Sequence, residues 1–91
     1  EGFGFPPLEA LACGAPVVAN PVTCLPEILG EAPFWLPEND QSRWQTGIRA
    51  LVDDPETRTA RQALGRAQAA QYTWPRAAAA TWAVYRKVAA P

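Results

Sequence analysis

Ninety-one residues with a net charge of -1 set a ceiling of one small domain and give no electrostatic reason to bind nucleic acid or an anionic membrane surface. Apolar content of 48% with 10% aromatic argues for a packed fold and against disorder. With no histidine in the chain, Ser-His-Asp and Cys-His catalysis are excluded within these residues, and carboxylates and bound substrate are the remaining chemical resources.

The chain begins Glu1-Gly2-Phe3-Gly4-Phe5-Pro6-Pro7-Leu8-Glu9. Two glycines allow a tight loop, and two prolines set φ near the helical value where a helix begins. A short helix is therefore predicted through Cys13, ended by Gly14 in the left-handed conformation common after helices. Such a junction aims backbone N–H groups and the positive end of a helix dipole at one spot suited to an anion. Glu9 falls in or just after the first turn, where its charge is favoured. It is either an ornament of the helix start or, with Glu1, an acceptor for bound hydroxyls.

Ala15-Pro16-Val17-Val18-Ala19 is predicted as a buried parallel strand, with proline tolerated at its first residues. Asn20-Pro21-Val22-Thr23-Cys24 follows at the carboxyl end of that strand, as a connector or as a second wall of the same pocket. Leu25-Pro26-Glu27-Ile28-Leu29-Gly30 reads as one helical turn, with Thr23 as a cap and Gly30 as the stop. Pro33-Phe34-Trp35-Leu36-Pro37 is apolar and proline-flanked, hence a brief strand near a sheet edge.

Three helices follow. The first, capped by Asn39 or Asp40, is expected to turn Trp44, Ile48, Leu51 and Val52 inward, with Gly47 weakening it. The second starts at Asp54-Pro55 and is expected to bury Ala60, Ala63, Leu64 and Ala67. Its Gly65 suggests close packing or a kink, and Arg58, Arg61, Arg66 and Gln68 are assigned to a solvated face. The third, capped by Thr73 and started by Pro75, runs to about Val88. Its Trp82 and Tyr85 are expected as core anchors, with docking on a further domain as the alternative. Cys13 and Cys24 lack metal-ligand spacing and are expected to be reduced and buried. No apolar run of membrane-spanning length and no signal-like start appears.

The string Glu-Gly-Phe-Gly-Phe-Pro-Pro-Leu-Glu-Ala-Leu-Ala-Cys-Gly-Ala-Pro-Val-Val-Ala resembles the E-x7-E segment of the retaining glycosyltransferases of family 4, which have the two-domain GT-B fold. Leu25-Pro26-Glu27, Asp53-Asp54-Pro55 and Tyr72-Thr73-Trp74 resemble that family's Leu-Pro-Glu block, Asp-Pro helix break and aromatic-Ser-Trp motif. Two places depart from the pattern. Pro37-Glu38 stands where the family commonly has Asp-Pro, and Asn20-Pro21 replaces a small polar pair.

The resemblance implies an α/β fold. Residues 1–91 would be the carboxyl-terminal portion of the nucleotide-sugar-binding domain, a partial Rossmann-like three-layer unit ending in three helices, without the amino-terminal acceptor domain. It implies that Glu1 lies against the donor sugar in a catalytic or hydroxyl-binding role and that Glu9 holds the ribose. Gly2, Phe3, Gly4 and Phe5 would form the loop whose amides meet sugar hydroxyls and the diphosphate. The implied reaction transfers a hexose from a UDP- or GDP-sugar to a carbohydrate or lipid-linked acceptor with retention, without metal or other cofactor.

An Arg and a Lys for the diphosphate would come from upstream, so the chain alone is expected to be inactive. A chain opening on Glu1 reads as a piece of a longer, cytoplasmic enzyme that could touch a membrane peripherally through another domain. The alternatives are a nucleotide-sugar-binding or scaffolding module without turnover, and a purely structural helical module. An apolar sheet edge is expected to be exposed and to favour self-association.

Overall fold

The computed structural model describes residues 2–90. Glu1, the expected catalytic residue, lies outside the described residues. The order of elements is α1 (Phe5–Ala12), β1 (Val18–Ala19), α2 (Leu25–Leu29), β2 (Phe34–Trp35), α3 (Gln41–Asp53), α4 (Pro55–Ala69) and α5 (Trp74–Ala89). The two strands pair in parallel, Val18 with Phe34 and Ala19 with Trp35. The expected succession of loop, helix, strand, turn, strand and three helices is met. Two strands are too narrow a sheet to make the three-layer arrangement by themselves, and the described unit is mainly helical.

Glycine conformations end the early elements. Gly14, at φ 83°, follows α1, and Gly30, at φ 59°, closes α2. Both are left-handed positions that tax an L side chain. Thr23 does not cap α2. It sits at φ 53°, and the residue at the cap position is Cys24, which makes no side-chain cap bond. The Asn20 side-chain amide donates to the carbonyl of Leu36 at 3.2 Å, and Trp44 Nε1 donates to the carbonyl of Pro37 at 2.8 Å.

The core joins Leu8 and Leu11 of α1 to Leu25, Ile28 and Leu29 of α2, with Ala32 and Ala69. Leu11 and Leu29 are fully buried, each worth about 1.5–3 kcal/mol of transfer free energy. Gly65 is a packing site: a Cβ there would stand 2.8 Å from Leu11 Cδ2, so its hydrogen lets α4 close on α1. Gly47 does the same on α3, where a Cβ would stand 2.9 Å from Leu36 Cδ1.

These two glycines shift the buried faces away from the expected stripes. On α3, Gly47 and Leu51 are buried and Trp44 is half-buried, whereas Ile48 and Val52 are exposed. On α4, Ala60, Ala63, Leu64 and Ala67 all face outward, and the inward side carries Arg58, Arg61, Gln62, Gly65, Gln68 and Ala69. The assignment of Arg58, Arg61 and Gln68 to a solvated face is therefore corrected.

Their polar heads satisfy carbonyls at the ends of other elements. Arg58 Nη1 donates to Leu51 O and Val52 O at 3.0 and 2.9 Å. Arg61 Nη1 donates to Glu31 O and Pro33 O at 2.8 and 3.2 Å, with its guanidinium 4.4 Å from the Phe34 ring centroid. Gln68 Nε2 donates to Ile28 O at 2.7 Å. Arg66 remains exposed, its guanidinium against Gly14.

Caps read from sequence are in place at the last three helices. Asp40 accepts from Arg43 N, Asp54 from Glu56 N and Thr57 N, and Thr73 from Arg76 N. The Thr57 hydroxyl, with that residue's amide, holds the Asp54 carboxyl below its ordinary range. Helix α5 is the largest departure from expectation. It has no buried residue; Trp82 is 62% and Tyr85 63% exposed, so neither anchors the core. Cys13 is exposed and Cys24 half-buried, so burial of both is also corrected. Among the described residues, no helix is long and apolar enough to cross a membrane.

Candidate functional site

Gly4 organises the loop that enters α1. It occupies the N-cap position at φ 97°, ψ 38°, and its carbonyl accepts from Leu8 N at 3.2 Å. Because Pro6 and Pro7 fill the second and third helical positions and lack N–H groups, they contribute no donors to the helix start. The donors available there belong to Phe3, Gly4 and Phe5. Among the described residues, none of these three amides has a backbone or side-chain acceptor.

Aromatic rings set the loop's posture. Phe3 and Phe5 stack at 4.8 Å between centroids, tilted by 39°. Tyr72, at the junction of α4 and α5, meets Phe3 edge-on at 5.9 Å and 82°. Phe3 is half-buried against the core. Beside this cluster lies an open groove of about 750 Å³, walled by Phe3, Phe5 and Leu8 on one side and by Tyr72, Trp74 and Ala77 on the other.

Glu9 stands on the rim of that groove, exposed. It occupies the fifth position of α1, one residue beyond the first turn, where the helix end's field has largely decayed. The reading of Glu9 as an ornament of the helix start is weakened accordingly. A carboxylate there can accept hydrogen bonds from ligand hydroxyls, and the amides of Phe3 and Phe5, residues that line the groove, can donate to an anionic or hydroxylated ligand; Gly4 is buried and does not line it. The groove also holds Arg76, whose Nη1 donates to Gln71 O at 2.8 Å.

Of the six residues named from sequence, Gly2, Phe3, Gly4, Phe5 and Glu9 fall on one continuous loop and helix start, with Phe3, Phe5 and Glu9 on the same groove. Whether Glu1 joins them falls outside the described residues. Asn20–Cys24 does not line this groove. Sequence reasoning missed Tyr72 and Trp74 as neighbours of the loop. Their Tyr-Thr-Trp motif marked a helix start, and nothing in its spacing signalled a contact with Phe3.

The family model described as "Glycosyl transferases group 1" matches residues 1–68. Similar relatives include O-antigen chain mannosyltransferase B of Escherichia coli, 43% identical over 74 residues, which cover 81% of this chain and 19% of the relative. D-inositol 3-phosphate glycosyltransferase 1 of Catenulispora acidiphila is 40% identical over 88 residues, covering 94% of this chain and 21% of the relative. The chain thus spans about a fifth of the length of these curated relatives. No solved structure gives a significant match.

Proposed function

Since the chain belongs to the glycosyl transferases group 1 family, we propose that it forms part of the donor site of a longer retaining hexosyltransferase that uses a nucleoside diphosphate sugar. The observation that carries this reading is the conjunction of the Phe3, Gly4 and Phe5 amides, which have no acceptor among the described residues, with the exposed Glu9 carboxylate. In this reading the amides bind the diphosphate and sugar hydroxyls, and Glu9 accepts from the ribose hydroxyls. Glu1 lies against the hexose.

Cleavage of the bond between the anomeric carbon and the diphosphate puts negative charge on the leaving oxygens. Oriented amides stabilise that charge without reorganising. Retention then needs no protein nucleophile at a fixed distance from an acid, unlike retaining hydrolysis by paired carboxylates. Cations from elsewhere in the enzyme would share the diphosphate charge, and the acceptor would be a carbohydrate or lipid-linked hydroxyl held by another domain.

In the longer enzyme the described residues would be the back half of a Rossmann-like domain. The exposed apolar face of α5, with Trp74, Trp82, Tyr85 and Val88, would be covered by the rest of the protein. An exposed helix face that carries two tryptophans and a tyrosine has the character of an interaction surface.

A calorimetric screen of UDP- and GDP-sugars on the enzyme at its relatives' length, with product detection, tests the proposal. Binding and transfer are expected there and no transfer by the 91-residue chain. Binding without turnover would turn the reading to a sugar-nucleotide-binding module; no binding of any nucleotide sugar would end it.

A further inference from the structure

Tyr72 belongs to the Tyr-Thr-Trp motif, for which the donor-site reading has no use, yet its ring touches the donor loop. We propose that Tyr72 is a positioning residue: its ring, set perpendicular to that of Phe3, holds the Gly2–Phe5 loop in the posture that presents its amides. This inference rests on the donor-site reading for its functional consequence, but the bracing itself does not.

Two halves of the geometry support it. Tyr72 stands on a fixed post. Its amide donates to Ala69 O at 3.0 Å, Ala69 is buried in the core with Leu8 and Leu11, and Gly65 lets α4 sit directly on Leu11. Gln68, one turn before Tyr72, is tied to α2 through Ile28 O, and Arg76 ties the following turn to Gln71 O.

The loop, by contrast, has little of its own to hold it. Among the described residues its backbone makes one hydrogen bond outside regular helix pairing, from Leu8 N to Gly4 O. Its other restraints are the packing of Phe3 against the core, the burial of Gly4 and the aromatic contacts, Phe3 with Phe5 at 4.8 Å and Tyr72 perpendicular to Phe3 at 5.9 Å and 82°. That perpendicular arrangement places the positive ring edge on the negative ring face, the favourable sense for two aromatic quadrupoles. The contact uses the ring, and among the described residues the hydroxyl makes no hydrogen bond, so phenylalanine should serve equally.

The test compares wild type, Tyr72→Ala and Tyr72→Phe in the full enzyme, with UDP-glucose, UDP-N-acetylglucosamine and GDP-mannose as donor probes, alongside NMR backbone order parameters of residues 2–5 without donor. Tyr72→Ala should raise donor Kd and KM by roughly three- to tenfold with kcat at saturating donor unchanged, and should lower the order parameters of the loop. Tyr72→Phe should restore the affinity to within about twofold and the order parameters to the wild-type values. Unchanged order parameters in Tyr72→Ala, or a Tyr72→Phe variant that behaves like Tyr72→Ala, overturn the bracing. Should wild type bind none of the three donors, the donor-site reading fails, and loop order alone decides the bracing. Lower loop order with unchanged donor affinity would overturn the functional half.

Discussion

Replacing Gly4 by alanine tests whether the loop's backbone conformation is what the site depends on. Gly4 sits at φ 97°, where an added Cβ crowds the backbone and costs about 1–2 kcal/mol. The variant has two ways to respond. If it keeps the native turn, the strain appears as lost stability, and at about 4–8 °C per kcal/mol for a domain of this size the midpoint falls by roughly 4–16 °C. If the loop instead relaxes to negative φ, Phe3 and the three amides swing away and the donor must restore them. Affinity then weakens by roughly five- to thirtyfold at constant midpoint. Thermal unfolding by circular dichroism and donor titration by calorimetry on the same sample separate the two. A Gly4→Ala protein with both midpoint and donor Kd unchanged would refute the claim that this left-handed turn shapes the site.

Leu11→Ala should cost about 3 kcal/mol or more in urea denaturation, because Leu11 is fully buried between α1 and α4 and α4 has little room to collapse onto it. Arg61→Ala is expected to destabilise by about 1–2 kcal/mol by orphaning the Glu31 and Pro33 carbonyls and removing the contact with Phe34. Arg61→Lys should recover only part of this in the same denaturation assay, having no planar fork. The bonds from Thr57 hold the Asp54 carboxyl below the ordinary aspartate range; its cap therefore stabilises the fold above that range and the contribution fades as pH falls through the lowered value. Acid titration followed by far-ultraviolet dichroism should show this step in wild type and not in Asp54→Asn. The double substitution Trp82→Ser/Tyr85→Ser should leave the unfolding midpoint of the 91-residue chain within about 1 °C, because both side chains are exposed. Sedimentation should show less self-association; loss of the fold instead would mean that α5 is packed.

What was legible in the sequence was local chemistry. Gly14 and Gly30 stop helices because only positive φ fits there, and Asp54 and Thr73 cap because a short acceptor before proline-started helices has amides to bind. Illegible was which face of α3 and α4 turns inward. Apolar periodicity chose Ile48 and Val52, and Ala60, Ala63 and Leu64. The helices instead close where glycine permits contact, at Gly47 against Leu36 and Gly65 against Leu11. That choice brings Arg58, Arg61 and Gln68 inward, where they answer unpaired carbonyls that no pattern of the helix itself reveals. Likewise, hydrophobic spacing on α5 correctly marks an apolar face but cannot say whether this chain or another part of the protein covers it.

A crystal structure of the full enzyme with bound UDP or GDP would test the central claim most directly. The account predicts diphosphate oxygens within hydrogen-bond distance of the amides among Phe3, Gly4 and Phe5, and the Glu9 carboxylate on the ribose hydroxyls. A nucleotide bound elsewhere, with Glu9 in bulk solvent and those amides turned from the ligand, would contradict it.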